Sequence, residues 1–530
     1  MSCIEEEIMY KEIVKLIELI DQAVVYEVAS KSPLEQALKL SRRLENNIFL
    51  KREDTQQVFS FKLRGAYNKI RKLSDAERKQ GVITASAGNH AQGVALAAQK
   101  LNISAVIVMP KTTPEIKVKS VRDLGGEVVL HGNTYDDAYT KALEIAGQQD
   151  RVFIHPYDDL DVIAGQGTIA KELLEQCENM DIVFIPVGGG GLVAGISAYL
   201  KTMKPDIKII AVEPDDAACF DAAMKSGERT MLKQVGIFAD GVAVRQIGEQ
   251  TFDIAKHYVD EVITVNTDEL CAAIKDIFDE TRAIAEPAGA LTVAGIKKYL
   301  DKNEIKSRNL IAIVSGANIN FDRLRHVAER AEIGEHREAI LAVTIPEKPG
   351  SFRAFCKIIG QHGITEFNYR FASSEKAHIF VGVKLERGEK DKIKLIELLK
   401  SKDYPVVDMT DNEMAKIHIR YMVGGHSHIS PQSSAQSGSP LSSKPHTTEC
   451  LYRFQFPERP GALLRFLDHM GEDWNISLFH YRNHGAAYGR ILVGIQVPDD
   501  QQTQFADFLA TIKYPYWDES ENPAYELFLS

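Results

Sequence analysis

The sequence predicts an α/β protein in which two parallel sheets flank a cleft, followed by two smaller α+β modules that are copies of one another. Three observations predict it. Between Val82 and Asn320, short apolar runs rich in Val and Ile alternate with amphipathic stretches, which is how strands covered by helices on both faces read. Beyond Arg337 that texture stops and a repeat begins, with matching segments 111 and then 112 residues apart. The chain of 530 residues, 44% hydrophobic and 26% charged, has room for three or four domains at about 150 residues each, with apolar side chains enough to give each a core.

Taken in order, the opening residues carry Glu5, Glu6 and Glu7 where a secretion signal needs basic residues and an apolar stretch, so no export is expected. Cys3, Cys177, Cys219, Cys271, Cys356 and Cys450 are scattered without a C-x-x-C pair, and read as reduced thiols of a cytoplasmic protein. Val82–Ala85, Ala105–Met109, Glu127–Leu130 and residues 182–187, 207–212 and 310–314 are expected as buried strands, with helices such as 92–100 and 163–176 between them. A ligand cleft is expected where their C-terminal ends meet. Residues 182–200 form an uncharged run of 19, long enough to cross a bilayer, but Pro186 and Gly188 to Gly191 would break a helix in lipid, so no membrane span is expected. A formal charge of -11, from 63 basic and 74 acidic residues, argues against nucleic-acid and anionic-membrane partners and leaves small-molecule chemistry.

In the repeat, Pro346-Glu-Lys-Pro-Gly350 matches Pro457-Glu-Arg-Pro-Gly461, residues 364–370 (ITEFNYR) match 476–482 (ISLFHYR), and Val381-Gly-Val383 matches Val493-Gly-Ile495. Each copy, about 80 residues long, reads strand, helix, strand, strand, helix, strand, a ferredoxin-like unit. Between the copies, residues 424–448 hold eight serines, three prolines and one charge, Lys444, too few apolar groups to offset ordering entropy. His426, His428 and His446 lie there with no Cys or carboxylate cluster and read as solvated side chains, not metal ligands. The expected organisation is a domain at 1–337, modules at 338–423 and 450–530, and a flexible linker at 424–449.

Four features carry chemistry. In Ser60-Phe-Lys-Leu-Arg-Gly65, Lys62 opens a helical pattern among apolar neighbours; singly it reads as a surface lysine, but held in an apolar pocket it would lose basicity and add to a carbonyl. Ser86-Ala-Gly-Asn-His-Ala-Gln-Gly93 follows a strand and opens a helix, a turn that aims backbone N–H groups at an anion; the plain alternative makes Ser86 an N-cap and leaves Asn89 and His90 unassigned. Gly188-Gly-Gly-Gly-Leu192 joins an apolar strand to an apolar helix. Its spacing fits neither a dinucleotide fingerprint nor a P-loop, which leaves a smaller phosphate monoester. Val314-Ser-Gly-Ala-Asn318 lies at the C-terminal end of a parallel strand, the edge at which such sheets bind ligands.

Together these motifs resemble those of the fold-type II pyridoxal phosphate enzymes, most closely the biosynthetic threonine ammonia-lyases, and the resemblance covers nearly the whole chain. SFKLRGA is similar to that family's Schiff-base lysine motif, SAGNHAQG to its substrate-carboxylate loop, GGGGL to its phosphate loop and SGAN to the segment beside the pyridine nitrogen. The resemblance implies pyridoxal 5'-phosphate bound at Lys62, Asn89, Gly188, Gly189, Gly190, Gly191, Leu192 and Ser315, with Lys62 catalytic. It implies a substrate carboxylate held by Ser86, Ala87, Gly88 and His90. Ser315 as a neutral partner of the ring nitrogen would weaken the electron sink and favour loss of the β-hydroxyl of L-threonine over transamination. The two modules are similar to ACT-like regulatory domains, which implies isoleucine and valine as effectors at Tyr369 and Tyr481, and a homotetramer. Serine racemase-like relatives bind a divalent cation near a Glu-Pro turn. Here Glu213-Pro-Asp-Asp-Ala-Ala-Cys219 puts Cys219 where a carboxylate would be wanted, with Asp215 and Asp216 as solvated charges, so no required metal is expected. A serine dehydratase or racemase of the same fold is the alternative enzyme. A sensor without activity would require Lys62 to be missing.

Overall fold

The computed structural model describes residues 13–360, 362–370, 375–417, 419–421, 447–457, 462–470, 474–482, 488–512 and 514–522. Contacts divide the chain into two units, Met1–Gly334 and Glu335–Ser530. Cys3, His426, His428, His446 and most of the expected linker lie outside the described residues.

The first unit holds two sheets. The smaller has the order β5-β4-β3-β6, built from β3 (Val82–Ala85), β4 (Ala105–Met109), β5 (Glu127–Leu130) and β6 (Val152–Phe153), all parallel. The larger has the order β1-β2-β10-β7-β8-β9, from β1 (Leu34–Gln36), β2 (Asn47–Arg52), β7 (Ile182–Pro186), β8 (Lys208–Pro214), β9 (Glu261–Val265) and β10 (Asn309–Val314). Only β1 runs antiparallel in it. Every residue of β3, β4 and β7 is buried, as strands with helices on both faces must be. The uncharged run at 182–200 is a strand, a glycine turn and the start of helix Gly191–Met203. Among the described residues no helix is long and apolar enough to cross a membrane.

Four strands went unanticipated from the sequence, and each has a reason. β1 and β6 have three residues and two, too few to show a period. β9 opens on the half-buried Glu261. β2 ends in Lys51 and Arg52, which read as surface residues; both are buried because each meets a carboxylate, Glu172 and Asp54 respectively. Ser86 is not an N-cap. Helix Asn89–Leu101 starts three residues later, with Gly88 in the cap position and no side-chain cap.

The second unit is a single eight-stranded antiparallel sheet of order β14-β11-β13-β12-β16-β17-β15-β18. The first module supplies β11 (Glu338–Pro346), β12 (Ile364–Arg370), β13 (Lys376–Lys384) and β14 (Val406–Asp408). The second supplies β15 (Thr447–Pro457), β16 (Asn475–Arg482), β17 (Tyr488–Pro498) and β18 (Tyr516–Asp518). Each has the predicted alternation of strands and helices, and the modules join edge to edge through β12 and β16. Asn368 pairs directly with His480, and 112 residues separate them, the offset of the repeat itself. The local two-fold axis therefore passes between that pair. Phe367, Tyr369, Phe479 and Tyr481 then fall on one face and form a shared aromatic core with Phe352.

In the first unit, the helix that begins with Lys62 is set by a close crossing. A Cβ on Gly165 would lie 2.6 Å from Gly65 Cα and 2.7 Å from the Arg64 carbonyl oxygen, so helices Lys62–Arg71 and Leu160–Gln176 touch backbone to backbone. Gly165→Ala is expected to force them apart and destabilise this unit by about 1–3 kcal/mol, the usual range for overpacking. Urea denaturation followed by tryptophan-independent circular dichroism checks this; an unchanged midpoint would contradict the crossing.

Candidate active site

Two helices in the first unit begin at the C-terminal ends of buried parallel strands without a side-chain cap. Helix Asn89–Leu101 follows β3, and helix Gly191–Met203 follows β7. Four other helices of the unit are capped by Ser74, Thr134, Asp159 and Asn266, the ends at Cys219 and Glu249 are bonded by Glu213 and Asp158, and helices Glu115–Asp123 and Pro287–Lys302 also lack a side-chain cap. An uncapped first turn leaves N–H donors and the positive end of the helix dipole free for an anion, and two such ends follow β3 and β7.

At the second of them the four glycines have no room for side chains. A Cβ on Gly188 would meet Val242 at 2.9 Å, and one on Gly189 would enter the Tyr157 ring at 2.2 Å. Gly190 has φ +94° and presses on Thr251, whose Oγ1 donates to the Gly189 carbonyl at 2.7 Å. The loop is buried throughout, so its backbone is what it offers a ligand.

Lys62 reaches this loop through its neighbours. Its Nζ donates to the carbonyl of Pro156 at 2.9 Å, and the next residue, Tyr157, is the one packed on Gly189 and Gly191. Burial pulls the amine down to about 8, against the opposing pull of Glu286. The backbone N–H of Phe61 donates to the carbonyl of Ser315 at 3.2 Å, and Ser60 bridges Gly316, so the lysine motif and the SGAN motif are stitched together. Ser315 Oγ, itself buried, donates to Ala288 O at 3.3 Å.

Asn89 is held from both ends. Its Nδ2 donates to Glu286 Oε1 at 2.6 Å, and its Oδ1 accepts from Asn318 Nδ2 at 2.6 Å. Ser86, Ala87, Gly88 and Asn89 are half-buried at the mouth of their turn. His90 is different: its Nε2 lies 3.0 Å from the Ile154 carbonyl, and burial and then Lys62 push its pKa down to about 3. A neutral imidazole turned towards Ile154 brings no positive charge to a carboxylate, and what remains to it is the N–H of the helix's first turn.

The structure thus brings Lys62, Asn89, the glycine loop and Ser315 together from four separate stretches of chain. It adds Glu286, Tyr157 and Asn318, which sequence reasoning left without roles. Asn318 already stood in the SGAN motif; Glu286 and Tyr157 sit in no recognisable spacing. Two buried polar atoms at the site, Ser60 Oγ and His90 Nδ1, have no hydrogen-bond partner, as expected of groups that await a ligand.

Residues 25–316 match the family model for pyridoxal-phosphate dependent enzymes, and residues 329–419 and 441–529 match the C-terminal regulatory domain of threonine dehydratase. The biosynthetic L-threonine dehydratase of Burkholderia multivorans is 53% identical over 513 residues, covering 96% of this chain and 98% of that protein. That of Escherichia coli is 51% identical over 509 residues, 96% of each. The chain belongs to the threonine dehydratase family. Among solved structures, the processed form of tomato threonine deaminase isoform 2 is 51% identical and superposes with a TM-score of 0.60 over 61% of this chain and 94% of that one. The family depends on pyridoxal phosphate, and the cleft fits it: a cradle closed to any Cβ, a buried amine and two free helix ends.

Three other expectations meet the structure here. Glu213 is fully buried and its carboxylate accepts from the N–H groups of Phe220 and Asp221 at 2.9 and 2.8 Å, while Cys219 Sγ lies 3.6 Å from the Gly188 carbonyl. Among the described residues no group of three or more His, Cys, Asp or Glu could hold a metal ion. Asp215 and Asp216 are exposed. Tyr369 and Tyr481 are both buried in the module core, and Tyr369 Oη donates to Glu347, whose other oxygen accepts from Asn475 of the opposite module at 2.9 Å.

Lys62 must be neutral to add to a carbonyl. Because burial lowers its amine to about 8, the neutral fraction rises as pH rises through 8 and levels off above it, where an exposed lysine would still be climbing towards 10. Stopped-flow capture of pyridoxal phosphate by the cofactor-free protein is expected to follow that curve, and a midpoint near 10 would contradict the buried setting.

Proposed function

We propose that this chain deaminates L-threonine to 2-oxobutanoate and ammonia, and that isoleucine, with valine as competing effector, regulates it through the second unit. The observation that carries the first part is the half-buried Lys62, its amine bonded to the Pro156 carbonyl beside Tyr157, which packs on the tetraglycine loop at one uncapped helix end, with a second uncapped end at the SAGNHAQG turn.

Pyridoxal phosphate bound in the cleft supplies a carbonyl for amines to add to and a sink for the electrons of the Cα–H bond. The chain does the rest. Gly188, Gly189, Gly190, Gly191 and Leu192 hold the phosphate by backbone N–H groups and the dipole of helix Gly191–Met203. Asn89, with one amide hydrogen already given to Glu286, gives the second to the ring hydroxyl. Ser86, Ala87, Gly88 and the first turn at His90 receive the substrate carboxylate. Lys62 would hold the cofactor and, with its amine free, would take the proton from Cα of the substrate, whose β-hydroxyl would leave with a proton as water. The unsaturated amine left behind takes up water and gives 2-oxobutanoate and ammonia. Ser315 is uncharged, so it does not stabilise a protonated ring nitrogen as a carboxylate would; electron density at Cα is expelled towards the β-carbon. Serine fits the same geometry, and an assay of both substrates separates the threonine enzyme from a serine dehydratase or racemase.

The regulatory reading is supported by a pocket between the modules lined by Lys348, Phe352, Arg353, Leu467, Trp474 and Asn475. Lys348 stands there as a cation for a carboxylate beside apolar side chains for a branched one, while Arg353 is paired with Asp468 at 2.7 Å. Tyr369 and Tyr481 flank the junction from the core side; Tyr369 donates to Glu347, and Glu458, the counterpart of Glu347 in the repeat, lies outside the described residues. The same reading makes the enzyme a cytoplasmic homotetramer with its catalytic residues inside 1–337 and regulation in the modules at 338–423 and 450–530.

Two measurements test this. Lys62→Ala loses both the covalent anchor and the base, so turnover of threonine is expected to fall more than about 10³-fold while circular dichroism stays native. Near-normal turnover would overturn the assignment. For the effectors, Tyr369→Phe and Tyr481→Phe keep the packed rings and remove the hydroxyls, which spares the cavity cost of an alanine. Calorimetry is expected to show isoleucine binding weakened roughly tenfold in at least one, about 1.4 kcal/mol; unchanged affinity and inhibition in both would send the effector elsewhere.

A further inference from the structure

The Glu286 carboxylate is the feature of the cleft that the reaction does not use. It stands at the cap position of helix Pro287–Lys302 yet does not cap it. It is instead turned into the site, buried, with Oε1 accepting from Asn89 Nδ2 at 2.6 Å. A Cβ on Gly316 would strike that oxygen, so the glycine there is what admits the side chain. Unlike Glu53 and Glu172 nearby, it forms no ion pair among the described residues.

We propose that Glu286 is a positioning residue that fixes the Asn89 amide and places a carboxylate in the same cleft as Lys62. An ionised carboxylate can only accept hydrogen bonds, so Asn89 must turn its Nδ2 towards it. The other end is fixed in the same sense, since Asn318 Nδ2 donates both to the Val58 carbonyl at 2.9 Å and to Asn89 Oδ1 at 2.6 Å. The amide is locked with its second hydrogen free for an acceptor in the cleft. A protonated carboxyl could donate as well as accept, and the lock would loosen.

The charges facing Glu286 are those of Lys62, Asp240 and Lys117. Lys62 approaches from helix Lys62–Arg71, and Asp240 from the loop beside Gly241. Lys117 and Arg323 hold Asp240 at 2.7 and 3.3 Å and offset much of its charge. Burial, followed by Asp240, raises the carboxyl to about 7. The residue is therefore about half ionised at neutrality, gaining charge as pH rises above it and losing charge as pH falls below it.

The inference rests on reading Asn89 as the donor to the cofactor's ring hydroxyl, and Glu286→Gln, Glu286→Asp and Asn89→Ala separate the two. Glu286→Gln keeps the volume and removes the charge. Pyridoxal phosphate affinity, measured by equilibrium dialysis, is expected to fall at least tenfold, with the pH midpoint of the bound cofactor's visible band about one unit lower. Glu286→Asp keeps the charge, so its midpoint is expected to stay near that of the wild type although affinity falls. If Glu286 acts through Asn89, adding Glu286→Gln to Asn89→Ala is expected to weaken binding less than twofold further. Should Asn89→Ala bind the cofactor normally, the reading of Asn89 fails and this inference with it. Should Asn89→Ala be weakened while Glu286→Gln binds and titrates as wild type, or the two be additive, only the role of Glu286 is overturned. Thermal unfolding checks that each variant folds; if Glu286→Gln does not, the midpoint of Glu286→Asp decides, a downward shift overturning the charge role.

Discussion

The constraint on which the rest of the first unit depends is a neutral cluster of four buried charges. Arg64 lies two residues beyond Lys62 on the same helix. Its guanidinium grips both oxygens of Glu53 at 2.8 Å and reaches Glu172 at 2.7 Å, and Lys51 closes the ring on the other oxygen of Glu172 at 2.6 Å. All four side chains are fully buried. Removing one member would strand its partner in a dry interior, which typically costs about 3–5 kcal/mol, so the cluster tolerates one arrangement. That arrangement ties the edge of the larger sheet, where β2 ends, to helix Leu160–Gln176 and to the helix that presents Lys62. The lysine needs this, because its amine loses basicity only if it is held where burial outweighs the opposing pull of Glu286.

Around that anchor the site is made of things withheld. Two helix ends lack side-chain caps, two buried polar atoms lack partners, and four glycines lack side chains where neighbours come within contact distance. Each leaves the empty protein less stable than it could be, and each supplies what an anionic, aromatic ligand can use. The strained loop is supported from outside by a chain of ordinary bonds: His155 Nδ1 accepts from the N–H groups of Tyr157 and Asp158, and Asp158 in turn caps helix Glu249–Tyr258 through Glu249 and Thr251. Local satisfaction one residue away lets the glycines remain unsatisfied.

What the sequence disclosed, and what it hid, follows from the range of the interactions. Parallel strands buried on both faces are apolar runs, so β3, β4, β7 and β10 announce themselves. β2 does not, because its buried Lys51 and Arg52 make sense only beside Glu172 and Asp54. The motifs at Lys62, Asn89, Gly188 and Ser315 are local strings whose spacing is legible, yet their convergence is not. Glu286 is the extreme case: 197 residues separate it from Asn89, and in the sequence it is one of 74 acidic residues. The repeat disclosed the modules and their equivalent tyrosines, but not that the strands bearing those tyrosines would pair with each other.

That pairing limits how the second unit can respond to a ligand. Tyr369 lies opposite Phe479 across the β12–β16 ladder and Tyr481 opposite Phe367, and the two phenylalanines pack edge to face at the centre, so the modules share one core. A core closed across a ladder in this way cannot rearrange in one module while the other stands still, since interiors at crystal-like density move between discrete packings and do not deform smoothly. A sequence difference between the copies then breaks the symmetry: Asn475 donates to Glu347 across the junction, and its counterpart in the first module is Gly363, which has no side chain to do so. A ligand seated by Phe352 and Trp474 meets a junction whose two halves are alike in fold and unlike in polarity. It shifts the unit between packings by no more than the difference in its affinity for them, and a difference of about 1–3 kcal/mol is enough for a 5- to 150-fold response.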